Sequence, residues 1–194
     1  MVVQPVDRLL NSLSMEKIKF LRAMNVDVRD LVCMDVGAST GGFTDCLLKH
    51  GASRVFAVDV GYGQLAWKLV QDSRVVVIDR TNIRYMPAES LREPVDLITI
   101  DVSFISLKIV VPSVIKFMKE EARILALIKP QFEVRKGNVG KGGVVRDPVL
   151  HAKVIKSLSD FFTRTDLLSE FVIPSPIRGP KRNKEFFICL KCAS

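Results

Sequence analysis

The sequence predicts an α/β fold in which a doubly wound, mostly parallel sheet carries helices on both faces. Three observations predict it. Short apolar runs alternate with segments of helical periodicity along most of the 194 residues, a glycine-rich turn follows the first apolar run, and polar residues end several later runs. In such sheets, ligands bind at the carboxyl ends of the strands.

The elements follow one another along the chain. Residues 7–25 have near-helical apolar spacing, residues 95–101 are apolar nearly throughout and so predict a central parallel strand, and Asp147-Pro148 has the cap-then-proline order of a helix start. We predict strands at 31–35, 54–59, 74–78, 95–101, 122–128, 168–174 and 185–191, and further helices at 42–50, 64–71, 106–120 and 148–163.

Length and composition predict one domain, residues 1–194, in which residues 1–30 form an N-terminal helical segment. The chain is 48% hydrophobic, but its longest apolar stretch, near residues 109–115, is far shorter than a membrane span, and no signal-peptide pattern is evident. We therefore expect a cytoplasmic protein.

The net charge of +8, from 29 basic and 21 acidic residues, favours a polyanionic partner, although excess lysine also serves solubility. Cys33 and Cys46 lie in apolar runs, and Cys189 and Cys192 form a single Cys-x-x-Cys without a second pair. We therefore expect neither a disulfide framework nor a metal site.

The turn at residues 35–44 (Asp-Val-Gly-Ala-Ser-Thr-Gly-Gly-Phe-Thr) is the first candidate binding site. Gly37 permits a tight turn, and Asp59, at the end of the next apolar run, is placed to accept hydrogen bonds from ribose hydroxyls. Ser39 stands where a pyrophosphate would require bare backbone, whereas S-adenosylmethionine (SAM) has no phosphate. SAM is therefore the expected cofactor, and the alternatives are a tight turn without a ligand or a dinucleotide oxidoreductase, which a titration with SAM and NAD distinguishes.

Polar residues also end the third, fourth and fifth predicted strands, at Asp79, Asp101 and Lys129. Each alone is consistent with a solvated strand end, but together they point into one crevice with Gly37 and Asp59. A buried lysine near other cations holds its proton less tightly and can act as a base.

Six motifs, in this order, resemble the hemolysin-A (TlyA) branch of the FtsJ-like ribosomal RNA 2′-O-methyltransferases, over roughly residues 12 to 192. They are residues 35–44, 79–82 (Asp-Arg-Thr-Asn), 101–107 (Asp-Val-Ser-Phe-Ile-Ser-Leu), 129–133 (Lys-Pro-Gln-Phe-Glu), 140–147 (Gly-Lys-Gly-Gly-Val-Val-Arg-Asp) and 183–186 (Asn-Lys-Glu-Phe). The resemblance implies a SAM-dependent, Rossmann-like fold of seven strands, the last antiparallel, and methylation of a ribose 2′-hydroxyl of ribosomal RNA, cytidine in this branch.

The resemblance also implies the site residues. The catalytic set would be Lys17, Asp101, Lys129 and Glu185, with Lys129 as the base, Lys17 lowering its proton affinity, and the two carboxylates holding the lysines. The Gly37 loop would cradle the methionine part of SAM, Asp59 the ribose and Asp79 the adenine amino group. The full cofactor-binding set would be Asp35, Gly37, Ala38, Ser39, Gly41, Gly42, Phe43, Asp59, Asp79 and Asp101.

The chain departs from the family pattern in three places. Residues 12–18, which contain Lys17, read Ser-Leu-Ser-Met-Glu-Lys-Ile where the family usually has Ser-Arg-Gly-Gly-x-Lys-Leu. Arg182 stands where the family usually has a glycine. Residues 1–11 offer nothing that could supply the small N-terminal RNA-binding domain (the α-L domain) of TlyA proteins. The alternatives are therefore a SAM- or RNA-binding module without activity, which separate assays of methyl transfer and SAM binding would reveal, and a membrane-active hemolysin, against which the lack of a long apolar span argues.

Ribosomal RNA or a ribosomal subunit is the expected partner, and two basic segments are candidates for contact with it. The glycine-rich loop 135–146 could be a flap that contacts phosphates or simply a solvated loop, whereas the cluster 178–184 flanks Glu185 and is the better candidate. The candidate RNA-binding residues are Arg135, Lys136, Lys141, Arg146, Arg178, Lys181 and Arg182.

Overall fold

The computed structural model describes residues 27–176 and 179–193, so the helix predicted within residues 7–25 lies outside the described residues. Within them, short 3₁₀ turns at Ala88–Ser90, Ile115–Phe117, Lys136–Asn138 and Pro180–Arg182 accompany the main elements. These are β1 (Val32–Val36), α1 (Gly42–Lys49), β2 (Arg54–Val58), α2 (Trp67–Val70), β3 (Val75–Ile78), β4 (Val95–Ile100), α3 (Leu107–Val114), β5 (Met118–Ile128), α4 (Pro130–Glu133), α5 (Pro148–Thr163), β6 (Leu167–Pro174) and β7 (Phe186–Cys192).

The strands form one seven-stranded sheet in the order β3-β2-β1-β4-β5-β7-β6. Strands β1 to β5 pair in parallel, and β7 is antiparallel to both β5 and β6. The predicted doubly wound sheet is therefore confirmed. The chain leaves β1 towards one edge and returns at β4 to build the other edge, so the crevice above the carboxyl ends of β1 and β4 is where a ligand is expected.

The hydrophobic core lies on both faces of the sheet. One face is covered by α1 and α2, through residues such as Phe43 and Leu69, and the other by α3 and α5, through residues such as Val110 and Leu158. Strand residues alternate between the two faces because successive side chains of a strand point in opposite directions. Cys33 and Leu97 thus belong to the first cluster, and Met34 and Ile98 to the second.

Two predicted helices differ from the structure. The prediction of helix through residue 120 was wrong, because α3 ends at Val114 and β5 begins at Met118, which pairs with Val95 across a register shift. Strand pairing there overrides the helix propensity of Lys-Glu-Glu at 119–121. The helix predicted at 64–71 covers Trp67–Val70, whereas α5 spans the predicted 148–163 and begins with the Asp147 carboxylate accepting a hydrogen bond from the Val149 N–H.

Among residues 27–176 and 179–193, no helix combines the length and apolar character needed to cross a membrane.

Candidate active site at the carboxyl ends of the strands

A cavity of about 540 Å³ opens at the point where the strand order reverses. Four of the predicted cofactor-binding residues line it: Gly37, Ser39, Asp59 and Asp101. The remaining lining residues were not predicted from the sequence, and most are apolar or carry neutral polar groups. They are Val36, Val58, Val60, Gln64, Thr81, Asn82, Ile83, Val102, Ser103, Phe104, Ile105 and Val110.

The Asp59 carboxylate is held in place by two backbone N–H groups. Its Oδ2 accepts a hydrogen bond from Ser39 N at 2.9 Å and its Oδ1 from Gly61 N at 2.7 Å. A carboxylate oxygen can accept more than one hydrogen bond, so both oxygens keep capacity for a further donor in the cavity. Asp59 therefore fixes the glycine-rich turn and remains able to bind hydroxyl groups.

Asp35 supports the same turn from inside the protein. Its carboxylate is 1% exposed, accepts hydrogen bonds from Thr44 N and Thr44 Oγ1 on one oxygen, and accepts one from Thr99 Oγ1 on the other. It thus joins the first turn of α1 to strands β1 and β4. Asp35 does not line the cavity, so its role in the structure is to stabilise the turn from the side of the core.

The later residues of the turn pack into the core. A Cβ on Gly41, whose φ is +96°, would meet the side chains of Leu65 and Leu69, and Phe43 makes an edge-to-face contact with Phe187 at 6.2 Å between ring centroids. Neither these two residues nor Ala38 nor Gly42 lines the cavity. These positions serve the packing of α1 against the sheet.

Asp79 also lies outside the cavity lining, and its Oδ2 accepts a hydrogen bond from Gly63 N at 2.8 Å. The residues that follow it, Thr81, Asn82 and Ile83, line the cavity instead. The motif at 79–82 pointed to this segment, but spacing alone could not tell which of its side chains faces the ligand space.

Lys129 and Asp101 form an ion pair, with 2.7 Å between Nζ and Oδ1. Lys129 Nζ also donates a hydrogen bond to Ser103 Oγ at 3.0 Å. The side chain of Lys129 is 12% exposed and that of Asp101 is 23% exposed, so the ion pair is partly shielded from water. The prediction that these two strand ends meet is confirmed, because β4 and β5 are parallel neighbours and each residue directly follows its strand.

Phe104 is a site residue that the sequence did not single out. It lines the cavity, is 90% exposed, and has a φ of +63°, which residues with a Cβ rarely adopt. Its ring packs on Phe132, with 4.9 Å between centroids. The available signal was its position, an aromatic residue in a loop three residues after Asp101.

Glu133 connects the loop that follows Asp101 to the segment that follows Lys129. Its Oε2 accepts a hydrogen bond from Ser106 Oγ at 2.6 Å, and its Oε1 accepts one from Leu107 N at 2.8 Å. Burial raises the pKa of this carboxyl above its ordinary value of 4.5, against the two hydrogen bonds, which lower it. The protonated form is thus favoured by folding.

We expect this carboxyl to make the stability of the protein depend on pH. Because its pKa is higher in the folded than in the unfolded protein, its favourable contribution is complete below pH 4.5 and is lost as pH rises through the folded pKa. Glu133→Gln preserves the shape of the side chain and the acceptor for Leu107 N, and it does not titrate. Its free energy of unfolding, relative to that of the wild type, should therefore increase as pH rises from 4.5 through the folded pKa of Glu133. Urea unfolding on either side of the range measures this, and a constant difference would contradict the assignment.

Glu185 directly precedes β7 and is 4% exposed, with its side chain against the backbone of Gly179. Two further predicted site residues, Lys17 of the catalytic set and the RNA-binding candidate Arg178, lie outside the described residues. Of the predicted catalytic set, the structure therefore brings Asp101 and Lys129 into direct contact and buries Glu185 near the start of the last strand.

The described RNA-binding candidates are all exposed: Arg135, Lys136, Lys141, Arg146, Lys181 and Arg182. The loop that carries the first four is ordered by a bridge between Gly140 and Val144. Asn183 is 3% exposed and joins this loop to the basic cluster 178–184. It accepts a hydrogen bond from Val145 N and donates one to Gly143 O. In the sequence, Asn183 stands out only as a member of the motif at 183–186.

A family model for FtsJ-like methyltransferases matches residues 14–192. The chain belongs to this family. It is 47% identical over 171 residues to the 16S/23S rRNA (cytidine-2′-O)-methyltransferase TlyA of Mycobacterium tuberculosis, an alignment that covers 88% of this chain and 64% of TlyA. The chain thus spans less than two-thirds of the length of that relative.

Two solved structures share the fold. A hemolysin from Streptococcus thermophilus superimposes with a TM-score of 0.90 at 38% identity, covering 93% of this chain and 66% of that one. An S-adenosylmethionine-dependent methyltransferase from Listeria monocytogenes shares the fold, with a TM-score of 0.68 at 12% identity, covering 93% of this chain and 100% of that one.

Proposed function

We propose that this chain is the catalytic domain of a SAM-dependent ribosomal RNA 2′-O-methyltransferase, with the ribose of a cytidine as the acceptor. The observation that carries the proposal is the shielded Lys129–Asp101 pair, in which Asp101 also lines the cavity beside the glycine-rich turn. The family membership and the activity in TlyA's name support the same reaction and the same class of RNA. The reaction is proposed to take place in the cytoplasm.

The cavity suits SAM in size and chemistry. Binding sites for small cofactors are commonly about 300–1,000 Å³, with apolar walls and few polar groups. Val58, Ile83 and Val102 offer apolar walls for an adenine ring, and Asp59 offers acceptors for ribose hydroxyls. When bound, SAM supplies an activated methyl group on a sulfonium.

The residues of the chain would position and deprotonate the acceptor. A ribose 2′-hydroxyl is a weak acid, so Lys129 is proposed to take its proton after losing its own. A second cation would favour that loss, and the resemblance implies Lys17 for this role. Asp101 and Ser103 orient the amine through the contacts described above. The exposed ring of Phe104 offers a flat surface on which the acceptor base could stack.

Two measurements test the proposal. Calorimetry should show binding of SAM or S-adenosylhomocysteine, and labelled SAM should transfer its methyl group to ribosomal RNA, with the product identified as a 2′-O-methyl nucleoside. Binding of NAD without binding of SAM would overturn the cofactor assignment. SAM binding without transfer to RNA or to ribosomal subunits would instead identify a binding module.

We expect weak, largely non-specific binding to protein-free RNA, because the exposed candidates are lysines and arginines suited to phosphates. The affinity should fall linearly on a log–log plot against salt, with a slope of roughly −0.7 for each phosphate neutralised on a single strand. Matched and scrambled ribosomal RNA fragments, with and without an added α-L domain, provide the measurement. Tight, salt-insensitive and sequence-selective binding by these 194 residues alone would contradict the expectation.

A further inference from the structure

A second cavity, of about 390 Å³, lies between the loop before α5 and the turn before β7. It shares no lining residue with the cavity proposed for SAM. Among the residues that the structure describes, four cationic side chains surround it, together with two valines and one histidine. The lining residues are Val144, Val145, Arg146, His151, Lys181, Arg182 and Lys184.

Within the described part of the chain, the positive charge of this basic cavity is not balanced by acidic side chains. No carboxylate belongs to its lining, and no ion pair joins any of its four cations to an acidic side chain within residues 27–176 and 179–193. Asp147, the acidic residue next to Arg146, caps α5 through its bond to Val149 N. Like charges around one cavity repel one another, and a bound anion removes that repulsion.

Two hydrogen bonds of Asn183 join the two walls of the basic cavity. Asn183, from one wall, accepts from Val145 N at 3.2 Å and donates to Gly143 O at 3.1 Å on the other. His151 Nε2 lies 2.9 Å from Val145 O, and since a carbonyl oxygen only accepts, this nitrogen donates. The bonds of Asn183 fix the spacing between Arg146 and the turn that carries Arg182, and the His151 bond holds the loop of Arg146 against α5.

The backbone of that turn is also unusual. Lys181 and Arg182 have φ values of +56° and +65°, a left-handed conformation that is unfavourable for residues with a Cβ. A glycine at 182 would adopt it without strain and would lack the charge. Arg182 therefore adds a guanidinium, whose fork of N–H donors matches a phosphate, at a backbone position that favours a smaller residue.

The geometry points to this cavity as a subsite for one backbone phosphate of the acceptor RNA. The inference rests on the proposed function and adds a place for a nucleotide next to the target. Lys184 lines the subsite and directly precedes Glu185, which places the phosphate beside the last strand of the active site. The lining offers cations rather than exposed aromatic rings or carboxylates, so it would set the register of the RNA without reading its bases.

The test is the salt dependence of binding to a single-stranded ribosomal RNA fragment, measured for Arg182→Gly, Arg146→Ala and the double variant. Each single variant should make the slope of log affinity against log salt concentration less steep. The double variant should change this slope by no more than about 0.7, the value for one phosphate, rather than by about 1.4, the value for two independent phosphates. At about 50 mM salt, the loss of one such contact corresponds to a roughly eightfold weaker affinity. Arg92→Gly removes an exposed arginine from the opposite end of the sheet, before β4, and should leave the slope unchanged.

The readouts separate this inference from the proposed function. An unchanged slope in the Arg182→Gly and Arg146→Ala variants, additive losses in the double variant, or no binding of RNA by the wild type would overturn the subsite. If the variants lose slope as expected but the wild type transfers no methyl group to RNA, the subsite stands and the proposed reaction fails. The thermal midpoint of Arg182→Gly should equal or exceed that of the wild type, so that lost binding cannot be attributed to unfolding.

Discussion

Replacing Lys129 with alanine should lower methyl transfer at least about 10²-fold while leaving the affinity for SAM nearly unchanged. The expectation follows from the position of the amine. Lys129 Nζ contacts Asp101 Oδ1 and Ser103 Oγ, but Lys129 itself does not line the cavity proposed for the cofactor. Single-turnover transfer to an accepted RNA and calorimetry with SAM measure the two quantities separately.

Lys119→Ala is a matched control for this variant. Lys119 also forms a lysine–aspartate ion pair, with 2.8 Å between its Nζ and Asp96 Oδ1, but it lies near the start of β5, at the other end of the strand. Its loss should leave transfer at the wild-type rate. Full activity of Lys129→Ala would show that the base has been wrongly assigned. Lys17→Ala then shows whether the first lysine of the proposed set takes part, because unchanged activity would mean that the chain does without it.

Replacing Gly37 with alanine should abolish detectable SAM binding and markedly reduce the stability of the protein. Gly37 has a φ of +80°, and an added Cβ would lie 2.5 Å from the backbone oxygen of Asp101 and 3.2 Å from Val102 Cγ1. The turn could accommodate the methyl group only by moving away from β4, which would displace Ser39 and Asp59 from the cavity wall. We expect roughly 2–5 kcal/mol of destabilisation, from the left-handed conformation and the collision together.

Gly142→Ala separates these two causes. Gly142 has nearly the same φ, +82°, but a Cβ there would meet no atom within 4 Å. This variant should therefore lose about 1–2 kcal/mol, the strain alone, and should bind SAM like the wild type. Equal losses of stability in the two variants, measured by chemical unfolding, would show that the contact with Asp101 is unimportant. Wild-type SAM binding by Gly37→Ala would remove this turn from the cofactor site.

Much of the fold was predictable because it depends on local patterns. Strand β4 is mostly apolar, as expected for a strand covered on both faces, and α5 starts at Asp147-Pro148, the cap-then-proline order of a helix start. The contact between Lys129 and Asp101 was also predictable. Residues that directly follow neighbouring parallel strands must meet at one edge of the sheet, whatever the rest of the chain does.

The side chains that face the ligand space were decided by the tertiary structure. The turn at 35–44 offered several equivalent candidates. The Phe43 ring packs on Phe187, however, and the Gly41 backbone lies against Leu65 and Leu69, partners that are distant in sequence. Met118 joins β5 because Val95 offers it a partner across the sheet. Local propensity carries no information about such partners, which are defined only when the layers pack.

Partners that are distant in sequence also define the roles of Glu133 and Asn183. Glu133 and Asn183 were visible as motif members, but their roles depend on Ser106, Leu107, Gly143 and Val145, which other segments of the chain contribute. By itself, the sequence determined the succession of strands and helices along the chain, the glycine-rich turn and the chemistry available at the strand ends. Tertiary structure alone decided which of those groups line a cavity and which hold its walls together, because a hydrogen bond between distant segments exists only once both are in place.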